Sequence, residues 1–126
     1  MVKPFVIINE SHKEIIVEYA VNEDLITPLM MSAAKRNSWF NRNDWEQMPE
    51  DRYTVDYKAK KGAIKIKPQE AVMIHKERDN SDIKEIEKNF DLKNLRIKEN
   101  GKEIYFEDSK RLFEEFTKND FEITYK

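Results

Sequence analysis

Hydrophobic and polar residues alternate along much of the chain, the period expected of strands that turn one face to a core. Tyr53, Val55 and Tyr57 alternate with Thr54, Asp56 and Lys58, and Ile64 and Ile66 with Lys65 and Lys67. Leu95 and Ile97 alternate with Arg96 and Lys98, and Phe121, Ile123 and Tyr125 with Glu122, Thr124 and Lys126. Phe5–Ile8 and Ile15–Val21 are denser apolar runs, as are Val72, Met73 and Ile74 after Pro68. Runs of that kind suit strands covered more fully than on one face.

The connections follow the same plan. Asn9–Lys13 joins the first two strands, and Lys60-Lys61-Gly62 reads as the turn of a hairpin. Asn100-Gly101 is the strongest turn signal, because it supplies the two positive-φ positions of a type I′ turn. Leu95–Lys98 should therefore pair with Glu103–Phe106, and both glycines of the chain are assigned to turns. Asp82-Ile83-Lys84-Glu85 reads as a capping box, followed by Ile83, Ile86 and Phe90 at helical spacing. Asp108-Ser109 caps a second helix that buries Leu112, Phe113 and Phe116 and ends near Asn119. Residues 27–36 read as a third helix, with Thr27 as N-cap and Pro28 as its first residue. The alternation of Leu29 and Met31 leaves a strand as the alternative there.

About seven short strands at near-regular spacing predict a mainly β, antiparallel β-sandwich, immunoglobulin-like or transthyretin-like. Two or three short helices lie in its connections, and residues 1–126 form a single domain. The stretch Ile8-Asn9-Glu10-Ser11-His12-Lys13-Glu14-Ile15-Ile16-Val17-Glu18-Tyr19, with Ile66-Lys67-Pro68-Gln69-Glu70-Ala71-Val72 much later, resembles small β-sandwich domains of Bacteroidetes cell-envelope lipoproteins. The resemblance covers about a quarter of the chain and rests on structural positions, an Asn/Ser turn between two strands and an I-x-P-x-E strand boundary. It implies an exported, envelope-tethered, non-enzymatic module, although this chain has no cysteine to accept a lipid.

Composition narrows the chemistry. The 126 residues hold no cysteine, which removes disulfides, thiolate catalysis and cysteine-ligated metals. With both of the only two glycines used in turns, none remains for a phosphate-cradling loop. Charged residues are 38% of the chain but sum to −2, which gives no global attraction to nucleic acid or an anionic membrane. The first nine residues are too short and too alternating for a signal-peptide core, and no stretch reaches the ~18 apolar residues of a membrane helix. A cytoplasmic location follows, unless Met1 stands in place of a removed signal segment, in which case the cell envelope is expected.

No catalytic residue, metal site or cofactor is assigned. His12 falls in a predicted turn and His75 at a predicted strand end, positions where imidazoles are usually solvated rather than catalytic. Ser11 beside His12 points to the opposite side of the chain. Asp79-Asn80-Ser81-Asp82 lacks the glycine and distal glutamate of a calcium loop. A nuclease-like carboxylate-x-lysine at Asp56-Tyr57-Lys58 recurs at Asp82/Lys84 and Asp91/Lys93, as this charge density makes unavoidable.

Two segments are candidates for partner contact. Residues 22–51 exceed the ~12–15 residues of ordinary structureless loops. Within them Trp39, Phe40, Arg42 and Trp45 form a mixture enriched in protein interface cores, and the other reading is that they plug one end of the sandwich. Lys58, Lys60, Lys61, Lys65 and Lys67 form a candidate basic patch, although lysines on an alternating strand also serve as its solvated face and guard edges. The expected partner is another protein, ahead of nucleic acid; membrane insertion is not expected, and a small-molecule ligand is left open. A non-catalytic binding or assembly module is the resulting expectation, with an immunity or inhibitor protein, or a virion or secretion-particle subunit, as alternatives.

Overall fold

A computed structural model describes residues 2–23, 27–32, 45–78 and 82–126. Among these residues ten strands form two five-stranded sheets, and two α-helices connect them. The first sheet has the order β10-β1-β7-β3-β4, built from β1 (Val2–Asn9), β3 (Leu29–Ser32), β4 (Glu46–Gln47), β7 (Glu70–Arg78) and β10 (Glu122–Tyr125). The second has the order β5-β6-β2-β8-β9, built from β2 (Ile15–Val21), β5 (Tyr53–Asp56), β6 (Lys61–Ile66), β8 (Leu92–Glu99) and β9 (Lys102–Phe106). All pairings are antiparallel except β1 with β10, which run in the same direction. The fold is thus mainly β and sandwich-like, with more strands than the seven expected.

Alternation explains how the sheets face each other. Phe5 and Ile7 of β1, Val72 and Ile74 of β7, and Ile123 and Tyr125 of β10 point inward from the first sheet. Ile15, Val17 and Tyr19 of β2, Ile64 and Ile66 of β6, and Leu95 and Ile97 of β8 meet them from the second. The intervening residues of the first sheet are buried as well: Val6, Ile8, Met31 and Ala71 form a second cluster on its outer side, with Trp45 packed against it. The unbroken apolar run Phe5–Ile8 is the trace of that double coverage.

Both predicted helices are present and carry the chain between sheets. In α1 (Ile83–Asn89) Asp82 accepts a hydrogen bond from Glu85 N at 2.9 Å, as the capping box requires. Ile86 and Phe90 enter the core while Ile83 stays exposed. In α2 (Ser109–Lys118) Asp108 caps Arg111 N at 2.8 Å, and Leu112, Phe113 and Phe116 are buried between the sheets. The third helix is corrected: Leu29–Ser32 forms strand β3 against β7, where Met31 and Met30 serve opposite faces of the sheet. Tertiary pairing there overrides a favourable helix start; residues 33–36 lie outside the described residues.

The Asn100-Gly101 hairpin forms as predicted, with both residues at positive φ and Leu95 opposite Phe106. The other glycine is a correction. The β5–β6 turn occupies residues 57–60, with Lys60 at φ 57°, and Gly62 lies inside β6 opposite Tyr19 and Val55. A Cβ at Gly62 would stand 2.6 Å from Cζ and the hydroxyl of Tyr19. Close approach of a buried ring, rather than turn geometry, demands glycine there.

Candidate functional site

The Asn9–Lys13 turn and the strand boundary at Ile66–Glu70 come together at one end of the fold. Asn9 is fully buried and uses its whole amide: Nδ2 donates to the carbonyls of Lys13 (2.7 Å) and Ile66 (3.0 Å). Its Oδ1 accepts from the amide of Ser11 at 3.0 Å and from the Ser11 hydroxyl at 2.6 Å. Gln69 N donates to Asn9 O at 2.7 Å, and Gln69 Nε2 to Glu10 O at 3.2 Å. Just beyond, Arg52, in a 3-10 turn at Glu50–Arg52, forms a two-pronged ion pair with Glu70. Its Nη2 also donates to Lys65 O at 2.9 Å, so the guanidinium ties the first sheet to the second. These contacts tie the two sheets together at this end, although the buried Nε of Arg52 has no hydrogen-bond partner.

Of the side chains weighed as catalytic candidates, Ser11, His12 and His75 lie within the described residues. The Ser11 hydroxyl belongs to the turn just described. His12 is exposed. His75 is a correction, since it sits well inside β7 rather than at a strand end, and its ring is edge-on to Phe5 at 5.1 Å and to Phe90 at 5.4 Å. Burial among those rings pulls its pKa down to about 4, against a smaller opposing pull from Asp91. Burial, with smaller contributions from Tyr53 and Tyr57, pushes the Tyr19 hydroxyl up to about 12. The hydrogen bond to Glu99, which links β10 to β8, raises that of Tyr125, with smaller contributions from burial and the charge of Glu99. Among the described residues no group of three or more His, Asp or Glu side chains is placed to hold a metal ion. None of the described helices is long and apolar enough to cross a membrane.

Among the described residues a polar concavity lies on the outward face of the second sheet. Strand register sets Thr54, Ala63, Glu18, Arg96 and Tyr105 side by side across all five strands. The next row holds Asp56, Lys61, Ala20 and Asn94. The small residues Ala20 and Ala63 leave a depression of about 460 Å³, walled by Glu18, Thr54, Lys61, Asn94, Arg96 and Tyr105. Arg96 pairs with Glu103 and stacks over the Tyr105 ring, 4.3 Å from its centroid, while Glu18 pairs with Lys98 at 2.9 Å. These contacts pre-set the guanidinium, ring and carboxylate and leave the Asn94 amide, Thr54 hydroxyl and Lys61 ammonium facing solvent.

Of the candidate contact residues, Trp39, Phe40 and Arg42 lie outside the described residues. Trp45 is half-buried against the outer face of the first sheet, on the other side of the molecule from the depression. The lysines of the candidate patch are all exposed but serve different surroundings. Lys60 Nζ donates to Asn22 O at 2.9 Å, Lys61 walls the depression, and Lys65 flanks Ile16 on the outward face. Sequence reasoning missed Glu18, Asn94, Arg96 and Tyr105. A signal existed, because the Asn100-Gly101 turn sets Arg96 opposite Tyr105, but the order β6-β2-β8 that completes the row is a long-range fact. No family model, curated protein or solved structure matches the chain.

Proposed function

We propose that this chain is a non-catalytic protein-binding or assembly module. The observation that carries the reading is the outward face of the second sheet. It is a shallow, polar depression with one aromatic wall, whose charged side chains are held by intramolecular pairs while an amide, a hydroxyl and an ammonium remain available. Such a mixture suits the polar, partly pre-organised surface of a protein partner. The commitment of Ser11 and His75 to packing and turns also favours binding over catalysis. Trp39, Phe40, Arg42 and Trp45 are a second expected contact region, and the lysine run a third. Kinship of the sandwich with immunoglobulin-like or transthyretin-like domains belongs to the same proposal, supported by two antiparallel-rich sheets over one core. So does an accessory role at a bacterial envelope, for which the Asn9–Glu70 end of the fold is the supporting feature.

The test is site-specific photo-crosslinking in the native host, with the reactive side chain placed at Asn94, at Trp45 and, as a control, at Glu87 on the exposed side of α1. Adducts at Asn94 or Trp45 but not at Glu87 are expected. Their absence at both sites refutes the reading. The identity of the adduct separates an envelope assembly from an inhibited enzyme or a particle subunit.

A further inference from the structure

Among the described residues each sheet ends in two edge strands, and they are not equally guarded. β4 has two residues, while β5 and β10 have four each. β9 is the longest of these edges, runs without proline or bulge, and leaves Lys102 to Tyr105 exposed. Ile104 is 44% and Tyr105 46% exposed, so apolar surface lies open on both sides of this edge. Long, regular edges with apolar side chains are the kind that add another strand.

The hairpin register also shows which backbone groups are available. Glu99 and Lys102 close a two-residue turn and therefore exchange both ladder hydrogen bonds. The alternation makes Ile97/Ile104 and Leu95/Phe106 bonded pairs as well. Glu103 and Tyr105 consequently turn their N–H and C=O groups away from β8. We propose that β9 pairs antiparallel with β9 of a second copy of this chain about a two-fold axis at Ile104, making one continuous ten-stranded sheet. This goes beyond the binding role above and uses a different surface.

The choice of a second copy comes from self-complementarity. With Ile104 on the axis, each Glu103 lies opposite Tyr105 of the other copy, and the two outward amide–carbonyl pairs meet in four backbone hydrogen bonds. The two Ile104 side chains meet on the inner side, where each is otherwise half open to water. Each Lys102 faces a Phe106, so no like charges stand opposite each other. Each Glu103, already paired with Arg96, gains the Tyr105 hydroxyl of the other copy as a neighbour. The contact is far smaller than the ~1,600 Å² of a standard stable interface. Association should therefore be weak, with a Kd on the order of 0.1–1 mM.

Sedimentation velocity of the full chain from about 10 μM to about 1 mM should show a reversible monomer–dimer equilibrium in that range. Glu103→Pro removes an outward donor without touching the β8 ladder, and should keep the circular dichroism spectrum while abolishing dimer. Ile104→Lys, which places two ammonium groups on the axis, should do the same and decides the matter if the proline variant fails to fold. Ile16→Lys, on the sheet face away from the edge, should leave association unchanged. A wild type that remains monomeric at about 1 mM overturns the proposal. So does dimer of undiminished strength in a folded Glu103→Pro or Ile104→Lys variant. A monomer whose Glu103 and Tyr105 amide resonances shift on adding an extended peptide overturns it in favour of a different chain at the same edge.

Discussion

Removing the carboxylate of Glu70 is the sharpest test of how the sandwich is held together. Glu70→Gln keeps the shape of the side chain but strips the charge that the Arg52 guanidinium meets with two nitrogens. The arginine would retain Lys65 O and the Met30 sulfur, at 2.9 and 3.1 Å, neither of which neutralises it. Breaking a buried ion pair from one side costs ~3–5 kcal/mol, because the remaining charge is left in a poor solvent. These side chains keep 10% and 18% of their exposure, so water compensates in part, and about 2–4 kcal/mol is expected. For a chain of this length each kcal/mol lowers Tm by roughly 4 °C, giving a fall of about 8–16 °C. Urea unfolding followed by circular dichroism measures the loss directly, with an unchanged slope as the sign that both states keep their compactness. The double variant Arg52→Met/Glu70→Leu should recover at least half, since no charge is then stranded. A Glu70→Gln protein within about 0.5 kcal/mol of wild type, or a double variant no better than the single, refutes the view of this pair as the clasp between sheets.

Four further outcomes are expected. The depressed pKa of His75 means that the folded state prefers the neutral ring. Its stabilising contribution is therefore complete above the unfolded pKa of ~6.5 and is lost as pH falls from there towards about 4. The loss amounts to ~3 kcal/mol, and His75→Phe should flatten that part of a stability-versus-pH curve; an unchanged curve refutes it. Gly62→Ala pushes a methyl into the Tyr19 ring and should cost about 1–3 kcal/mol in chemical denaturation, whereas a neutral effect would mean the ring moves aside readily. Trp45→Ala uncovers Val6, Ile8, Met31 and Ala71 and should cost about 1–3 kcal/mol, less than a fully buried tryptophan. Emission from Trp45 in a Trp39→Phe background should be blue-shifted, and emission at the wavelength of a solvated indole would count against that packing.

The local rules served well wherever a strand or helix is specified by its own residues. Alternation located the inward faces of β6, β8 and β10, Asp82 and Asp108 marked the helix starts, and Asn100-Gly101 gave the register of β8 on β9. Failures occurred where a distant strand decides. Leu29–Ser32 carries a favourable helix start, but β7 needs a neighbour whose Met30 and Met31 cover opposite faces. Gly62 looked like a turn residue because the ring of Tyr19 that requires it belongs to another strand. His75 looked solvated because Phe5 and Phe90, which pack against it, come from β1 and from the end of α1. The polar depression was invisible for the same reason: its walls come from β2, β5, β6, β8 and β9, and hairpin signals join only β5 to β6 and β8 to β9, while β2 between them is placed by long-range pairing.

The parallel pairing of β1 and β10 has a mechanical consequence. Val6–Asn9 runs beside Glu122–Tyr125 in the same direction, and flanking bonds from Val6 N to Phe121 O (3.1 Å) and Glu10 N to Tyr125 O (2.8 Å) extend the ladder at both ends. A pull applied through the segments that enter β1 and leave β10 would drive the two strands past each other along their length. All the rungs would bear that load together, as in a lap joint, instead of parting one after another as in a zipper. Stretched between two anchors, the domain would behave as a stiff link, and its lifetime under tension would depend on that short parallel seam.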